Sequence, residues 1–385
     1  MNDPLTAAQQ LRSAFAERAA DHDRAGVFPV ADFDDLRASG LMGLMTPARL
    51  GGSGAGFAEY AEIAMTLAEG NGATALVFNM HCSITGALAS MPDAVAKALG
   101  VPDSYFAMRD RVLGDAANGA FYAVAMSERG SGSRLSGVKT TYEPKGSDGY
   151  LIRGSKTFCS GAGFADAYLV AARNGDLVSY FLVPSSPGIV VEDTWDALGM
   201  RATGSQDVHL HIMAPPDSLL GGVEGLTLLL AQVMPQWLVA SYAAVYVGVA
   251  QSAINETVKH VQERGLSHLP AVRARLGRAD AQVAAARLVV LEAARRIDDD
   301  PGTPETNRWI WRAKLTAGET AMDVAASLLE AAGTSAMRKG HPLERIYRDA
   351  RCGSLQPATS DVCADWLGMT ALGLDADSES AVPRW

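Results

Sequence analysis

The stretch Ala125-Met126-Ser127-Glu128-Arg129-Gly130-Ser131-Gly132-Ser133 places glycines, hydroxyls and a carboxylate after a short apolar run. A second cluster of this kind follows at Gly154-Ser155-Lys156-Thr157-Phe158-Cys159-Ser160-Gly161-Ala162. The preceding segments, 121–126 and 150–152, are of β type, so both clusters are predicted to be turns at strand ends. Glycine lets the backbone approach a phosphate, and successive N–H groups form an anion-binding concavity. Either cluster alone is more typical of a surface turn, but the pair predicts a flavin site.

The order of further motifs along the chain carries more information than any one of them. They are, in sequence, Gly154-x-Lys156, Leu198-Gly199-Met200-Arg201-Ala202-Thr203-Gly204-Ser205, His341-Pro342-Leu343-Glu344-Arg345 and Arg348-Asp349-Ala350-Arg351. With the first cluster, this succession resembles the acyl-CoA dehydrogenase family of flavoproteins over nearly the whole chain. The resemblance implies an α+β fold: an N-terminal helical domain, a central β-barrel-like domain and a C-terminal four-helix bundle.

Changes in hydrophobic periodicity predict three domains. Apolar residues recur at helical spacing over the segments 7–20, 31–39, 57–69 and 73–89, and Asn71 is suited to cap the last of these. From Tyr122 to about Leu219 the period shortens to two, which is typical of strands, and the helical period then returns. We predict a helical domain over 1–120, a flavin-binding β domain over 121–220 and a helical, oligomerising bundle over 221–385. A loose tail is predicted at the C-terminal end, over 378–385.

Composition excludes several classes of function. The chain of 385 residues carries a formal net charge of -10 and has no basic stripe, which argues against a nucleic-acid partner. Its 4 cysteines are scattered and form no C-x-x-C pair, so neither a disulfide framework nor a metal site is expected. His81 and Cys82 are predicted to lie on a buried helix face. The N-terminal residues lack the features of a signal peptide, which predicts a cytoplasmic protein.

The segment 225–255 contains no charged residue and is long enough to cross a bilayer. However, it is interrupted by glutamines and by Pro235, and neither flank carries a cluster of lysine or arginine. We therefore predict a buried helix and no membrane association. Such a helix belongs at the centre of a bundle or at an interface, which predicts a homodimer or homotetramer.

The resemblance also implies which residues bind the cofactor, FAD with FMN as the alternative. Ser127 is expected to face the pyrimidine side of the flavin ring, Gly132 and Ser133 its phosphate, and Phe158 with Ser160 the ring edge. Hydroxyl and amide donors suit this role because they tune a hydride acceptor without adding charge. The full set implied for the cofactor is Met126, Ser127, Gly132, Ser133, Phe158, Ser160, Arg264, Gly333 and Thr359. The set implied for the substrate is Ser133, Gln236, Trp237 and Gln356.

The chain departs from the family's pattern where the chemistry is decided. Family members that desaturate acyl thioesters use a glutamate base after the Arg-Asp-Ala motif, and Pro357-Ala358-Thr359 stands there in this chain. The alternative position for that base falls within Met234-Pro235-Gln236-Trp237-Leu238-Val239, which has no carboxylate. The catalytic base is therefore unassigned, and Glu344 and Asp361 are the nearby acids. The loop at Arg264 also lacks the family's Phe-Gly pair, which leaves recognition of CoA and of the adenine end of FAD open.

Three hypotheses about function follow. The first is an FAD-dependent α,β-dehydrogenase of an acyl thioester, bound to CoA or a carrier protein, with an electron-transfer partner. The second is a flavin-dependent monooxygenase of the same fold, which receives reduced flavin from a separate reductase and needs no α-proton base. The third is a degenerate, non-catalytic binding protein. The sequence favours the dehydrogenase because that reaction is the commoner one in the family, whereas the missing glutamate favours the monooxygenase.

Overall fold

The structure, a computed structural model, describes residues 3–375, and the predicted tail lies outside them. Its N-terminal part is helical, with α1 to α6 at Pro4–Ala25, Val30–Ala38, Phe57–Gly70, Gly72–Ser90, Asp93–Ala98 and Asp103–Ala117. The four helices predicted in this part are confirmed. Asn71 caps α4, since its side-chain oxygen accepts a hydrogen bond from the N–H of Ala73 at 3.1 Å.

A mixed sheet follows, and the predicted α+β class is confirmed. Strands β1 to β7 span Tyr122–Ala125, Thr141–Pro144, Tyr150–Cys159, Ala167–Asn174, Leu177–Pro184, Ile189–Glu192 and Gln206–Ala214. The order across the sheet is β1-β4-β2-β3-β7-β6, and β5 also pairs with β4. The pairs β1–β4 and β2–β4 are parallel and the others are antiparallel. The chain segments that leave β1 and β3 both border the cavity described below.

The prediction that the second glycine-serine cluster is a turn was wrong for most of its length. Strand β3 continues past Ile152 to Cys159, and its residues up to Lys156 pair in regular register with β7. A Cβ atom on Gly154 would lie 2.3 Å from Oγ1 of Thr140, so glycine is needed there for close packing. Glycine and serine have low strand propensity, but the ladder to β7 outweighs that local preference.

The C-terminal part is helical. Helices α7 to α12 span Leu226–Val233, Ala240–Glu263, Pro270–Asp299, Pro304–Ala332, Pro342–Arg351 and Ser360–Ala371. The uncharged segment is not the single helix that was predicted, because Pro235 begins a short 3-10 turn, Pro235–Trp237, between α7 and α8. Proline removes a backbone donor and ends α7. The stretch Pro235–Glu263 is apolar and long enough to cross a membrane, but 78% of its most apolar window is buried in the structure.

His81 and Cys82 are buried on α4, as predicted. The Nδ1 atom of His81 accepts a hydrogen bond from the N–H of Tyr122 at 3.2 Å, so its Nε2–H donates to the carbonyl of Met42 at 2.7 Å. Burial lowers the pKa of His81 to about 4. The neutral imidazole therefore ties α4 to β1 and to the loop after α2.

This histidine predicts a loss of stability in acid. Between pH 6.5 and pH 4 the unfolded chain binds a proton at His81 that the folded chain excludes, so stability is present above 6.5 and falls as the pH falls. We expect the unfolding free energy of the wild type to drop across this window by about 3 kcal/mol more than that of His81→Gln. Urea titrations at several pH values measure this difference between the two proteins. Contributions from other titrating groups, such as Asp349, are the same in both proteins and cancel. The exposed His268 provides the control variant His268→Gln, which should parallel the wild type, and parallel curves for His81→Gln would contradict the prediction.

Candidate functional site

A cavity of about 860 Å³ lies between the sheet, α4, α7, the Pro235–Trp237 turn and the chain around α12. Most residues that the sequence suggested for the cofactor line it: Met126, Ser127, Gly132, Ser133, Phe158, Ser160 and Thr359. The suggested substrate residues Gln236, Trp237 and Gln356 line it as well, and so does Pro357. Tertiary folding thus brings together residues that are far apart in the sequence.

Four of the suggested residues do not line this cavity. Arg264 follows the end of α8 and Gly333 follows the end of α10. Glu344 is one candidate base, and its Oε1 accepts a hydrogen bond from Nε of Arg348 at 2.6 Å. Asp361, the other candidate, lies exposed in the first turn of α12. Their assigned roles stay predictions.

A buried ion pair shapes the loop that carries Gly132 and Ser133. Nζ of Lys156 on β3 lies 2.7 Å from Oε1 of Glu128, and the two side chains are only 0% and 4% exposed. The carboxylate of Glu128 also accepts hydrogen bonds from the N–H groups of Lys139 and Thr140, at 2.7 and 3.0 Å. Burial disfavours the charge on Glu128, but Lys156 and these N–H donors outweigh burial and lower its pKa. Glu128 is therefore a structural anion, and its hydrogen bonds to Lys139 and Thr140 hold the two ends of this loop together.

A chain of hydroxyls lies on the wall beneath Phe158. The Oγ atoms of Ser160 and Ser205 are 2.8 Å apart, and Oγ of Ser205 lies 2.6 Å from Oγ1 of Thr203. Thr203 donates to the carbonyl of Met200 at 2.9 Å, which fixes the direction of donation in the chain. All these hydroxyl residues line the cavity, and they offer polar contacts without charge.

Two side chains at the cavity sit on strained backbone. Phe158 has φ +57° and Met200 has φ +53°, values that bulky residues rarely adopt. The ring of Phe158 is 60% exposed and meets the ring of Trp195 edge-on, with centroids 5.9 Å apart. Such strain persists where the surrounding structure determines it and is concentrated at binding sites. The bulge that ends β3 thus presents an aromatic face to the cavity.

The opposite wall is held by a buried lysine. Nζ of Lys314 on α10 donates to the carbonyls of Gly353 and Gln356, at 2.7 and 3.1 Å. Burial lowers the pKa of Lys314 to about 8. The hydroxyl of Tyr246 donates to Oε1 of Gln356 at 2.7 Å. These contacts fix the segment in which Pro357 stands at the family's position for a glutamate.

Sequence reasoning missed two charged residues of the wall, Arg134 and Asp365. They are the only charged side chains among the described residues that line the cavity. Arg134 directly follows the glycine-serine cluster, which could have drawn attention to it. Asp365 lies one helical turn after Asp361 on α12, and it lines the cavity together with Val362 and Trp366, whereas Asp361 does not.

The residues present fit a flavin. Among residues 3–375, neither the hydroxyl nor the N–H of Ser133 is bonded to another group. Gly132 has φ +61°, and a Cβ atom placed on it would meet nothing within 4 Å, so a ligand can approach this backbone closely. The N–H of Gly132 itself donates to the carbonyl of Glu128 at 2.8 Å, so the free donors here are those of Ser133. Ser133 thus offers donors, the hydroxyl chain, whose hydrogens point toward Met200, offers an uncharged acceptor at Ser160, and Phe158 offers an aromatic face, which suits a flavin ring and its phosphate.

Comparison with known families gives matches over most of the chain. The models of the acyl-CoA dehydrogenase N-terminal, middle and C-terminal domains match residues 6–97, 123–212 and 240–359. They agree in order with the helix, sheet and helix parts of the structure.

Individual relatives carry different names. The chain is 34% identical to L-evernosamine nitrososynthase of a Micromonospora species, with 94% of this chain and 88% of that protein covered. It is 28% identical to the putative acyl-CoA dehydrogenase YdbM of Bacillus subtilis, with 94% of each covered. The solved structure of FMN-bound TdsC from Paenibacillus sp. A11-2, a dibenzothiophene monooxygenase, superposes with a TM-score of 0.82 at 26% identity. That superposition covers 96% of this chain and 97% of that one.

Proposed function

Because the chain belongs to the acyl-CoA dehydrogenase family and is a flavoprotein, we propose that it is a flavin-dependent monooxygenase supplied with reduced flavin by a separate reductase. The observation that carries the proposal is the wall at Pro357. In the described residues, no carboxylate lines the cavity there or at Gln236. The similarity to a dibenzothiophene monooxygenase supports it further.

This proposal reverses the order of preference that the sequence alone suggested. Dehydrogenation of an acyl thioester requires a base to remove the α-proton, and neither proline nor glutamine can serve as one. When bound, a reduced flavin supplies electrons to dioxygen, and that chemistry needs no α-proton base. The frequency of dehydrogenases in the family is a weaker argument than the lack of a carboxylate at Pro357 and at Gln236, the two positions where the family places its base.

The chain's own residues have distinct parts in the proposed reaction. The Ser127–Ser133 side of the wall binds the phosphate and pyrimidine ends of the flavin, and Ser160 with its hydroxyl neighbours orients the ring edge. Phe158 and the apolar residues of α4 exclude bulk water from the reacting face, which strengthens each polar contact inside. Gln236 and Trp237 hold the substrate opposite the ring.

An anaerobic and an aerobic experiment together test the proposed reaction. The flavin-loaded protein should keep its oxidised absorbance spectrum when butyryl-CoA is added without oxygen. With reduced FMN and ¹⁸O₂, it should transfer one labelled oxygen atom to an aromatic probe such as quinoline, detected by mass spectrometry. Bleaching by butyryl-CoA, with no labelled product from the aerobic reaction, would contradict the proposal and favour the dehydrogenase.

The second candidate is the dehydrogenase, and a specific observation favours keeping it. Asp365 is a carboxylate on the cavity wall, on the same face of α12 as Val362. If butyryl-CoA bleaches the flavin, Asp365→Asn should slow bleaching by about a hundredfold to ten-thousandfold, which is the usual effect of losing a general base. Asp361→Asn, one turn earlier and outside the cavity lining, is the matched control and should leave the rate unchanged.

The placement of the flavin phosphate near Gly132 and Ser133 is likewise a proposal. We expect Ser133→Ala to weaken FMN binding by about 1.5–3 kcal/mol, since a hydrogen bond to a charged group is lost. Gly132→Val should weaken it as well, because valine is strained at a φ of +61°. Fluorescence titration with FMN measures both, and Ser136→Ala, an exposed serine in the next turn, is the control. Wild-type affinity in both variants would place the phosphate elsewhere.

Several expectations stay predictions. Because the loop at Arg264 lacks the family's Phe-Gly pair, we expect FAD to bind no more tightly than FMN, which the same titration tests. The domain boundaries near residues 120 and 220, the cytoplasmic location and the homo-oligomer also remain to be measured. A monomeric mass by light scattering at micromolar concentration would contradict the oligomer.

A further inference from the structure

The hydroxyls of Ser160, Ser205 and Thr203 form a chain whose hydrogens can be counted, and we call these three residues the hydroxyl relay. The Oγ atoms of Ser160 and Ser205 are 2.8 Å apart, and the next contact, from Ser205 to Thr203, is 2.6 Å. The last contact is 2.9 Å, from Oγ1 of Thr203 to the carbonyl oxygen of Met200. Two oxygens at these distances repel each other unless a hydrogen lies between them. Each hydroxyl supplies one hydrogen and the carbonyl supplies none, so the three contacts use all three hydrogens, and each hydrogen points toward Met200.

The carbonyl at the end of the relay is fixed in place. Met200 is only 1% exposed, and its N–H donates to Oδ1 of Asp349 on α11 at 2.6 Å. The carbonyl oxygen of Met200 also accepts a hydrogen bond from the N–H of Thr203 at 3.1 Å. The left-handed backbone of Met200, with φ +53°, persists because these surroundings determine it. The carbonyl therefore cannot turn away, and the backbone sets the direction of donation in the relay.

Ser160 consequently offers the cavity a lone pair and no hydrogen. Its hydroxyl hydrogen points to Ser205, and its backbone N–H is also used, because it donates to the carbonyl of Phe158 at 3.0 Å. Within residues 3–375 no group donates to the Oγ atom of Ser160, so this oxygen keeps its acceptor capacity. Ser160 lines the cavity. A ligand atom that meets it favourably must therefore be a hydrogen-bond donor.

The two redox states of a flavin differ in this respect at their ring edge. The oxidised ring presents a lone pair at N5, whereas the reduced ring carries a hydrogen there. We infer that Ser205 and Thr203 are positioning residues that make Ser160 an acceptor only, and that the wall thereby binds reduced flavin more tightly than oxidised flavin. This inference rests on the proposed function, in which the protein receives reduced flavin and the ring edge lies at Ser160.

Anaerobic titration with oxidised FMN and with dithionite-reduced FMN tests the inference without turnover. We expect the wild type to bind reduced FMN about tenfold more tightly, as one hydrogen bond allows. The midpoint potential of bound FMN should then lie about 30 mV above that of free FMN, since a tenfold preference in a two-electron couple corresponds to that shift. Equal affinities would overturn the inference, and they are the result expected if the N3–H of the ring, which both states carry, meets Ser160.

Two variants release a hydrogen of the relay. Ser205→Ala removes the acceptor for the hydroxyl of Ser160, and Thr203→Val removes the next acceptor at nearly constant shape. In both, Ser160 can donate to N5 of the oxidised ring, so oxidised FMN should bind more tightly and the tenfold preference should fall toward unity. Thr203→Ser keeps the hydroxyl and should keep the preference, as should the exposed control Ser136→Ala. Far-UV circular dichroism verifies folding, and an unchanged preference in Ser205→Ala and Thr203→Val would overturn the role of these residues.

A flavin analogue identifies the ring atom that meets Ser160. The analogue 5-deaza-FMN carries a C–H group in place of N5 and has no lone pair there. The wild type should bind it more tightly than oxidised FMN, whereas Ser160→Ala should bind the two equally. Equal binding by the wild type would place Ser160 at another part of the ring and overturn the inference. Oxygen transfer with equal affinities for both redox states would leave the proposed reaction standing, and the expected preference without oxygen transfer would contradict only that reaction.

Discussion

Replacement of Glu128 by glutamine is expected to lower the free energy of unfolding by about 3–5 kcal/mol, because it leaves the Lys156 ammonium buried without its counter-charge. The variant keeps the shape of the side chain, so the loss measures charge and not packing. The loop between Glu128 and Thr140 should loosen, and FMN binding should weaken with it. Urea unfolding followed by far-UV circular dichroism gives the energy.

The chain contains a matched control for this experiment. Lys145 and Glu143 are also 2.7 Å apart, but their side chains are 40% and 53% exposed. Glu143→Gln should therefore leave stability nearly unchanged, because solvent screens this exposed pair. The double variant Glu128→Gln with Lys156→Met should recover part of the loss, since no unpaired charge remains. Equal effects of Glu128→Gln and Glu143→Gln would show that the buried pair is not what holds the loop.

Gly248→Ala is expected to destabilise the protein by about 3 kcal/mol, at the upper end of what overpacking a core costs. A Cβ atom on this glycine of α8 would lie 2.2 Å from the carbonyl oxygen of Met65 and 2.6 Å from Cβ of Ala68, both on α3. A backbone oxygen cannot rotate away as the end of a side chain can. The two helices would have to separate, and apolar contacts along α3 would be lost.

The opposite sign is expected for the same substitution at Gly277. This glycine lies within α9, and a Cβ atom on it would meet nothing within 4 Å. Alanine should stabilise the helix there by up to about 1 kcal/mol. Thermal unfolding of both variants tests the pair of predictions. A stabilising Gly248→Ala would mean that α3 and α8 are packed less closely than described.

Sequence patterns were informative where a single segment carries the signal. The four N-terminal helices and the cap at Asn71 were predictable because amphipathic spacing and capping are local properties. The extension of β3 through Gly154 was not, because a strand that contains glycine and serine is stabilised by its partner β7, which is distant in sequence. The sequence showed that Pro235 interrupts the uncharged segment, but it could not show that this turn lies beside the cavity.

The same distinction between local patterns and contacts distant in sequence applies to the residues of the candidate site. The glycine-serine cluster and Ser160 were predicted from their residue types, since phosphate and flavin contacts require small residues and hydroxyls close together. Arg134 and Asp365 were missed because a charged residue on a loop or helix is usually solvated, and nothing local shows that it faces a cavity. Glu344 was considered as a base from proximity in sequence alone, whereas in the structure it pairs with Arg348.

By itself the sequence determined the class of fold, the order of the three parts and the chemical character of the wall that we propose binds the cofactor, because these depend on periodicity and on residue types that stand near one another in the chain. Only the tertiary structure decided that Lys156 neutralises Glu128, that Gln356 and Pro357 line the same cavity as Phe158, and that α4 and α7 contribute aliphatic side chains to it. These facts depend on the phase and crossing of elements distant in sequence. Burial then determines which charges are paired and which side chains line the cavity.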